Sequence, residues 1–144
     1  MGVKIVLANG CFDLCHPGHV AHLKAARGLG DTLIVSLTAD AAVGKGPGRP
    51  VIPWEDRAAM LRELRCVDQI ISVHSGIEAI RLVRPHIFVK GIEYAGQNIK
   101  EEATCKALGV EIVYLDTQPV YSSTRLLSGE ELNARIRTAR ASGL

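Results

Sequence analysis

The sequence predicts an α/β domain in which a parallel five-stranded sheet carries helices on both faces, and three observations predict it. Short apolar runs alternate with longer amphipathic stretches, the βαβα order of a layered domain. The strand-like runs are apolar throughout instead of alternating with polar residues, as strands buried on both faces must be. The chain has 144 residues with 47% apolar side chains and neither repeat nor linker, which suits one core. A single domain over 1–144 follows, with 122–144 as a C-terminal helical tail.

The elements are justified in chain order. Residues 3–8 form a first apolar strand, and 16–29 a helix with Val20, Leu23 and Ala26 on one face and Gly28 and Gly30 at its end. Residues 32–37 are the second strand. The run 44–50, Gly-Lys-Gly-Pro-Gly-Arg-Pro, holds too many breakers for regular structure. Residues 54–65 make a helix with an Ala58, Leu61, Leu64 stripe, and 69–73 the third strand. A helix over 76–83 is stopped by Pro85, and 87–90 is the fourth strand. A helix over 100–108 is capped by Gly109 before the fifth strand at 110–115, and 122–140 reads as helix interrupted near Gly129. Such sheets place their chemistry at the carboxyl ends of the strands, beside the switch in strand order.

Composition excludes several classes. Seventeen Lys and Arg against fifteen Asp and Glu leave a net charge of +2, too little to hold nucleic acid or a membrane by a global field. Aromatics are only 4%, and Trp54 alone offers no stacking platform for single strands. No apolar run approaches the roughly 20 residues that span a bilayer. The amino-terminal stretch lacks the pattern of a signal peptide, so the expected location is cytoplasmic. Cys11, Cys15, Cys66 and Cys105 form no CxxC pair, so reduced thiols and no zinc are expected.

The first strand leads into Asn9-Gly10-Cys11-Phe12-Asp13-Leu14-Cys15-His16-Pro17-Gly18-His19. Gly10 lets the backbone turn tightly and approach a ligand. Pro17 suits a first helical turn, which puts His16 and His19 one turn apart at a helix amino terminus, where N–H groups and the dipole favour an anion. Two imidazoles there can donate to phosphoryl oxygens; equally, His16 can cap the helix and His19 pack in the core. His22 continues the series without a role. Lys45 and Arg49 can close over a polyphosphate or remain solvated loop charges. Arg57 near a helix start is either compensated by Glu55 and Asp56 or reaches a phosphate. Lys90 ends an apolar strand at the site edge, where a cation binds more often than it packs. Ser122, Ser123 and Thr124 suit capping and phosphate binding alike. Asp13 can orient a histidine or help hold magnesium through water.

In this order these residues resemble the HxGH motif of the cytidylyltransferase-like nucleotidyltransferase family. Gly10-Cys11-Phe12-Asp13, the histidine pair, Leu29-Gly30-Asp31, Asp40, Arg49-Pro50, Asp56-Arg57, Lys90-Gly91 and Ser122-Ser123-Thr124 all fall in the family's order, over about residues 3 to 127. Within the family the chain is most similar to the heptose 1-phosphate adenylyltransferases of lipopolysaccharide and surface-glycan synthesis. The stretch 45–50, Glu55-Asp56-Arg57, residues 64–68 and the tyrosine before Ser-Ser-Thr carry that likeness. It departs where those enzymes read Lys-Gly-Gly-Asp-Tyr and this chain reads Lys90-Gly91-Ile92-Glu93-Tyr94.

The resemblance implies a Rossmann-like nucleotidyltransferase that joins ATP to a sugar 1-phosphate, a heptose 1-phosphate first, and releases pyrophosphate. It implies catalytic roles for His16, His19 and Lys45. Nucleotide binding falls to Asn9, Gly10, Cys11, Phe12, Gly18, His19, Lys90, Gly91, Tyr121, Ser122, Ser123 and Thr124, and substrate binding to Asp13, Asp40, Lys45, Arg49, Arg57 and Glu93. Magnesium is expected through the nucleotide phosphates, with no protein metal site. Leu126, Leu127, Leu132 and Ile136 in the tail suggest a homodimer. The rivals are CTP with glycerol 3-phosphate, an FMN adenylyltransferase, and a nucleotide-binding regulator without turnover.

Overall fold

The structure, a computed structural model, describes residues 2–117. Its strands are β1 (Ile5–Gly10), β2 (Thr32–Thr38), β3 (Gln69–Val73), β4 (Ile87–Gly91) and β5 (Glu111–Leu115). The helices are α1 (Pro17–Arg27), α2 (Trp54–Arg62), α3 (Gly76–Val83) and α4 (Glu102–Leu108), with short 3-10 turns at Asp40–Ala42 and Ile92–Tyr94. All pairings are parallel, and the order is β3-β2-β1-β4-β5. The chain builds outward from β1 to β3, then returns to the other flank of β1 for β4 and β5. The order therefore switches between β1 and β4, where Ala8 stands level with Val35 on one side and Val89 on the other.

The period of two along each inner strand divides the core between the faces. Val6, Ala8, Val35, Leu37 and Val89 pack with Leu23 and Ala26 of α1 and Ala58 and Leu61 of α2. Leu7, Ile34 and Phe88 turn to the opposite face, against Ala79 and Ile80 of α3 and Cys105 of α4. A fully buried Leu7 or Phe88 contributes about 1.5–3 kcal/mol through burial. The edge strand β3 is less covered than its composition suggests, since Gln69 and Ser72 are exposed.

The ends of the elements follow local chemistry. β1 starts at Ile5 and not at residue 3, because Val3 is 56% exposed and finds no core, and it runs on to Gly10. His16 is the N-cap of α1 and stands outside the helix proper. α2 stops at Arg62, three residues short of expectation, where Leu64 N–H turns back to the Leu61 carbonyl. α4 starts at Glu102, after a turn closed by Glu102 N–H on the Ile99 carbonyl. α3 ends at Arg84 in the left-handed region before Pro85, and α4 ends at Gly109 with φ 70°, as its composition requires. The 44–50 loop is irregular, with positive φ at Gly44, Gly46 and Gly48. The tail helix, Tyr121, Ser122, Ser123, Thr124 and the apolar residues suggested for a dimer lie outside the described residues.

Candidate active site

The loops after β1, β2 and β4 meet at the switch in strand order, and α1 starts there. Pro17 occupies the first turn of α1, and His16 stands before it in extended conformation, φ −139°. His16 Nδ1 accepts from Gly18 N–H at 3.2 Å, and His19 Nδ1 accepts from His16 N–H at 3.3 Å. This is a reciprocal cap built from two imidazoles in place of the usual Ser and Glu. Because Nδ1 accepts in both rings, the neutral forms carry their proton on Nε2. The rings stack with centroids 3.9 Å apart, and Phe12 meets His19 edge-on at 5.3 Å. Capping and phosphate binding, alternatives in the sequence, are thus compatible: Nδ1 serves the helix and sets the direction in which each Nε2 points.

Burial pushes the pKa of His19 down to about 4, helped by the charges of His16, Lys45 and His22. Burial lowers His16 as well. Near neutral pH both rings are therefore uncharged donors. Lys45 itself is exposed on the glycine-rich loop.

Asp13 departs from the expected substrate role. Its side chain is buried, and it accepts from Arg49 Nε at 2.7 Å, Val51 N–H at 2.9 Å and Ile52 N–H at 3.0 Å. Burial alone would raise its pKa, but the Val51, Arg49 and Ile52 donors outweigh that and hold it below 3.8. The carboxylate staples the 44–52 loop onto the β1 loop, where Phe12 and Leu14 on either side take positive φ. Such conformations cost about 1–3 kcal/mol each and persist only where neighbours enforce them. Arg49 is divided: Nε serves Asp13, while Nη2 is buried with no hydrogen-bond partner among the described residues. A buried orphan donor on this loop suits an anion.

Arg57 also departs from expectation, and Asp40 pairs with it through one oxygen while its side chain stays 47% exposed. Arg57 is 1% exposed, and its guanidinium donates to the carbonyls of Ile52 at 2.9 Å, Cys11 at 2.7 Å and Thr38 at 3.0 Å and to Asp40 Oδ1 at 2.5 Å. It ties the loops after β1 and β2 to the entry of α2, leaving its donors to the fold and not to a phosphate. Cys11 is held through its carbonyl in this contact. A Cβ at Gly10 would lie 2.8 Å from Phe12 Cε2, so its bareness makes room for the Phe12 ring.

At the end of β4, Lys90 Nζ lies 3.8 Å from Glu101 Oε1 and 4.5 Å from the Tyr94 ring centroid. The Glu93 carboxylate folds over Gly91 into contact with the place a Cβ would take. His22 faces the same charges: burial lowers its pKa, Glu93 opposes that and Lys90 adds to it. Asn9 Oδ1 accepts from Ser36 Oγ at 2.8 Å, and Gly18 serves the His16 cap. Ser36 and Glu101 were not legible as site residues, although a fully buried serine within an apolar strand was a signal. Among the described residues no group of three or more His, Cys, Asp or Glu is placed to hold a metal, and no helix is long and apolar enough to cross a membrane. A surface hollow of about 460 Å³ lies elsewhere, between α3 and α4 beside Arg81, Arg84 and Thr104; the chemistry marks the switch point instead.

The model of the Cytidylyltransferase-like family matches residues 7–128, which include both histidines and every loop just described. The chain belongs to this family. Among curated relatives of this family member, the Bifunctional protein HldE of Streptomyces coelicolor is 46% identical over 136 residues, 91% of this chain and 29% of the relative. That of Gluconobacter oxydans is 42% identical over 132 residues, 89% of this chain and 28% of the relative. The chain thus spans under a third of the length of these relatives. The crystal structure of the lipopolysaccharide core biosynthesis protein from Thermoplasma volcanium superposes with a TM-score of 0.67 at 30% identity, covering 80% of this chain and 98% of that one. Pantothenate synthetase from Thermus thermophilus shares the fold, with a TM-score of 0.58 at 18% identity over 78% of this chain and 55% of that one.

Proposed function

We propose that this family member transfers AMP from ATP to a sugar 1-phosphate, a heptose 1-phosphate first, with release of pyrophosphate. The observation that carries the reading is the uncharged histidine pair at the start of α1, whose Nδ1 atoms are spent on the backbone so that each proton sits on Nε2. The likeness to HldE proteins and to the Thermoplasma lipopolysaccharide core protein supports the acceptor class.

An acceptor phosphate oxygen attacks the α-phosphorus, and the bond from that phosphorus to the bridging oxygen of the β-phosphate breaks, so pyrophosphate leaves with the electron pair. His16 and His19 donate N–H hydrogen bonds to the α-phosphoryl oxygens as their charge rises, and the rigid cap makes that donation preorganised. Lys45 and the orphan Nη2 of Arg49 neutralise the polyphosphate from the loop. Lys90 and Gly91 border the nucleotide, and Glu93 faces the acceptor. Ser123 and Thr124 take the β and γ phosphates in this reading. Positioning and charge stabilisation suffice, without a covalent enzyme intermediate. Magnesium fits as a companion of the nucleotide, since Asp13 is spent on Arg49 and no group of three or more His, Cys, Asp or Glu among the described residues is placed to hold it; it would add positive charge at the leaving group. A homodimer in the cytoplasm, where ATP is abundant and thiols stay reduced, completes the proposal, and light scattering tests the dimer.

A pyrophosphate-release screen of four NTPs against heptose 1-phosphate, glycerol 3-phosphate and FMN tests the reaction. ATP with heptose 1-phosphate should win, with ATP at least about tenfold better than CTP in kcat/KM, or about 1.4 kcal/mol. Equal use of CTP with glycerol 3-phosphate would overturn the substrates.

A further inference from the structure

Beside Lys90 lies a carboxylate that the reaction above does not use. Glu101 is 2% exposed, immediately before α4, and its Oε1 stands 3.8 Å from Lys90 Nζ. Its seat is the first turn of α3. A Cβ on Gly76 would lie 2.8 Å from Glu101 Oε1, 3.2 Å from Glu101 Cγ and 3.3 Å from Asn9 Nδ2. The carboxylate and the Asn9 amide thus occupy the space that a side chain at residue 76 would fill, at a helix start where negative charge is favoured. Asn9 is fixed from its other end by Ser36. Lys90 is caught between this carboxylate and the face of Tyr94, with only 20% of its side chain exposed. A lysine on a four-carbon stem otherwise samples many rotamers, so its ammonium is an imprecise ligand unless something holds it.

We propose that Gly76 and Glu101 are positioning residues: the carboxylate seated in the gap at Gly76 fixes the Lys90 ammonium at the switch between β1 and β4. Neither touches the reacting atoms. Their influence on turnover rests on the nucleotide-binding role of Lys90 proposed above, whereas the fixing of Lys90 does not.

Gly76→Ala and Glu101→Gln test this in the full chain. The atom crowded most by an alanine at 76 is the far end of a flexible side chain, so the carboxylate swings away while the fold survives. The first arm is NMR on protein labelled with ¹³C-lysine, with Lys90 assigned by Lys90→Met. The Tyr94 ring should shift the Lys90 ε-methylene upfield of the other lysines, and both variants should remove most of that shift. An unchanged Lys90 resonance in both would overturn the proposal. The second arm is kinetic, with ATP and heptose 1-phosphate. Glu101→Gln should lower kcat/KM about tenfold, and Lys90→Met combined with Glu101→Gln should be no worse than Lys90→Met alone. Losses that multiply would overturn the coupling through Lys90. Failure of the native protein to transfer with any nucleotide and acceptor would sink the functional reading alone, and the NMR arm would still decide the positioning.

Discussion

Replacing Arg57 separates a structural strut from a phosphate ligand. Arg57→Met keeps the aliphatic stem and most of the volume but removes a guanidinium whose side chain is fully buried. The carbonyls of Ile52, Cys11 and Thr38 then lose their donor, and Asp40 loses its cation. Charge-assisted hydrogen bonds contribute about 1.5–3 kcal/mol each, but the desolvation of the guanidinium, relieved in the variant, offsets much of that sum. Breaking a buried charge network by truncation costs about 3–5 kcal/mol, so about 4 kcal/mol is expected. At about 4 °C per kcal/mol for a chain of this size, melting should fall by about 15 °C. Arg57→Lys should recover only part, since one ammonium cannot serve four acceptors set around a planar fork. Asp40→Asn should cost under about 1 kcal/mol, because the Asp40 side chain is 47% exposed and water screens the pair. Urea unfolding followed by circular dichroism measures all three. A loss below about 1 kcal/mol for Arg57→Met, joined to a selective rise in the KM for ATP, would refute the strut and restore a ligand role.

Three further outcomes follow from the same geometry. His16→Ala or His19→Ala should lower turnover about a hundredfold or more while ATP affinity falls less, as expected for help given in the transition state; unaltered turnover in a folded variant would remove the histidines from the mechanism. Because the folded-state pKa of His19 is depressed to about 4, the unfolded chain binds more protons between there and 6.5. The resulting stability is fully present above about 6.5 and is lost as pH falls toward 4, so the urea midpoint should decline over that window and decline less in His19→Gln. Asp13→Asn should cost about 3 kcal/mol and speed tryptic cleavage after Lys45, since it cuts the staple holding the 44–52 loop; equal cleavage rates would argue against that staple.

The amino-acid sequence by itself determined what depends on near neighbours. Continuous apolar runs made two-sided strands, Pro17 and the histidine pair marked the start of α1, and Pro85 and Gly109 closed α3 and α4, because backbone preference and side-chain period act over a few residues. The histidine spacing was equally local, one helical turn. Only the tertiary structure decided the strand order and which charged groups serve the fold. Arg57 finds the Cys11 carbonyl 46 positions away, Arg49 finds Asp13 across 36, and Lys90 meets Glu101 only because α4 starts beside the end of β4. No local pattern distinguishes an arginine that holds loops together from one that grips a phosphate. The difference lies in burial and in partners supplied by distant segments, so Asp13 and Arg57 went to the fold while Arg49 Nη2 was left buried without a hydrogen-bond partner among the described residues.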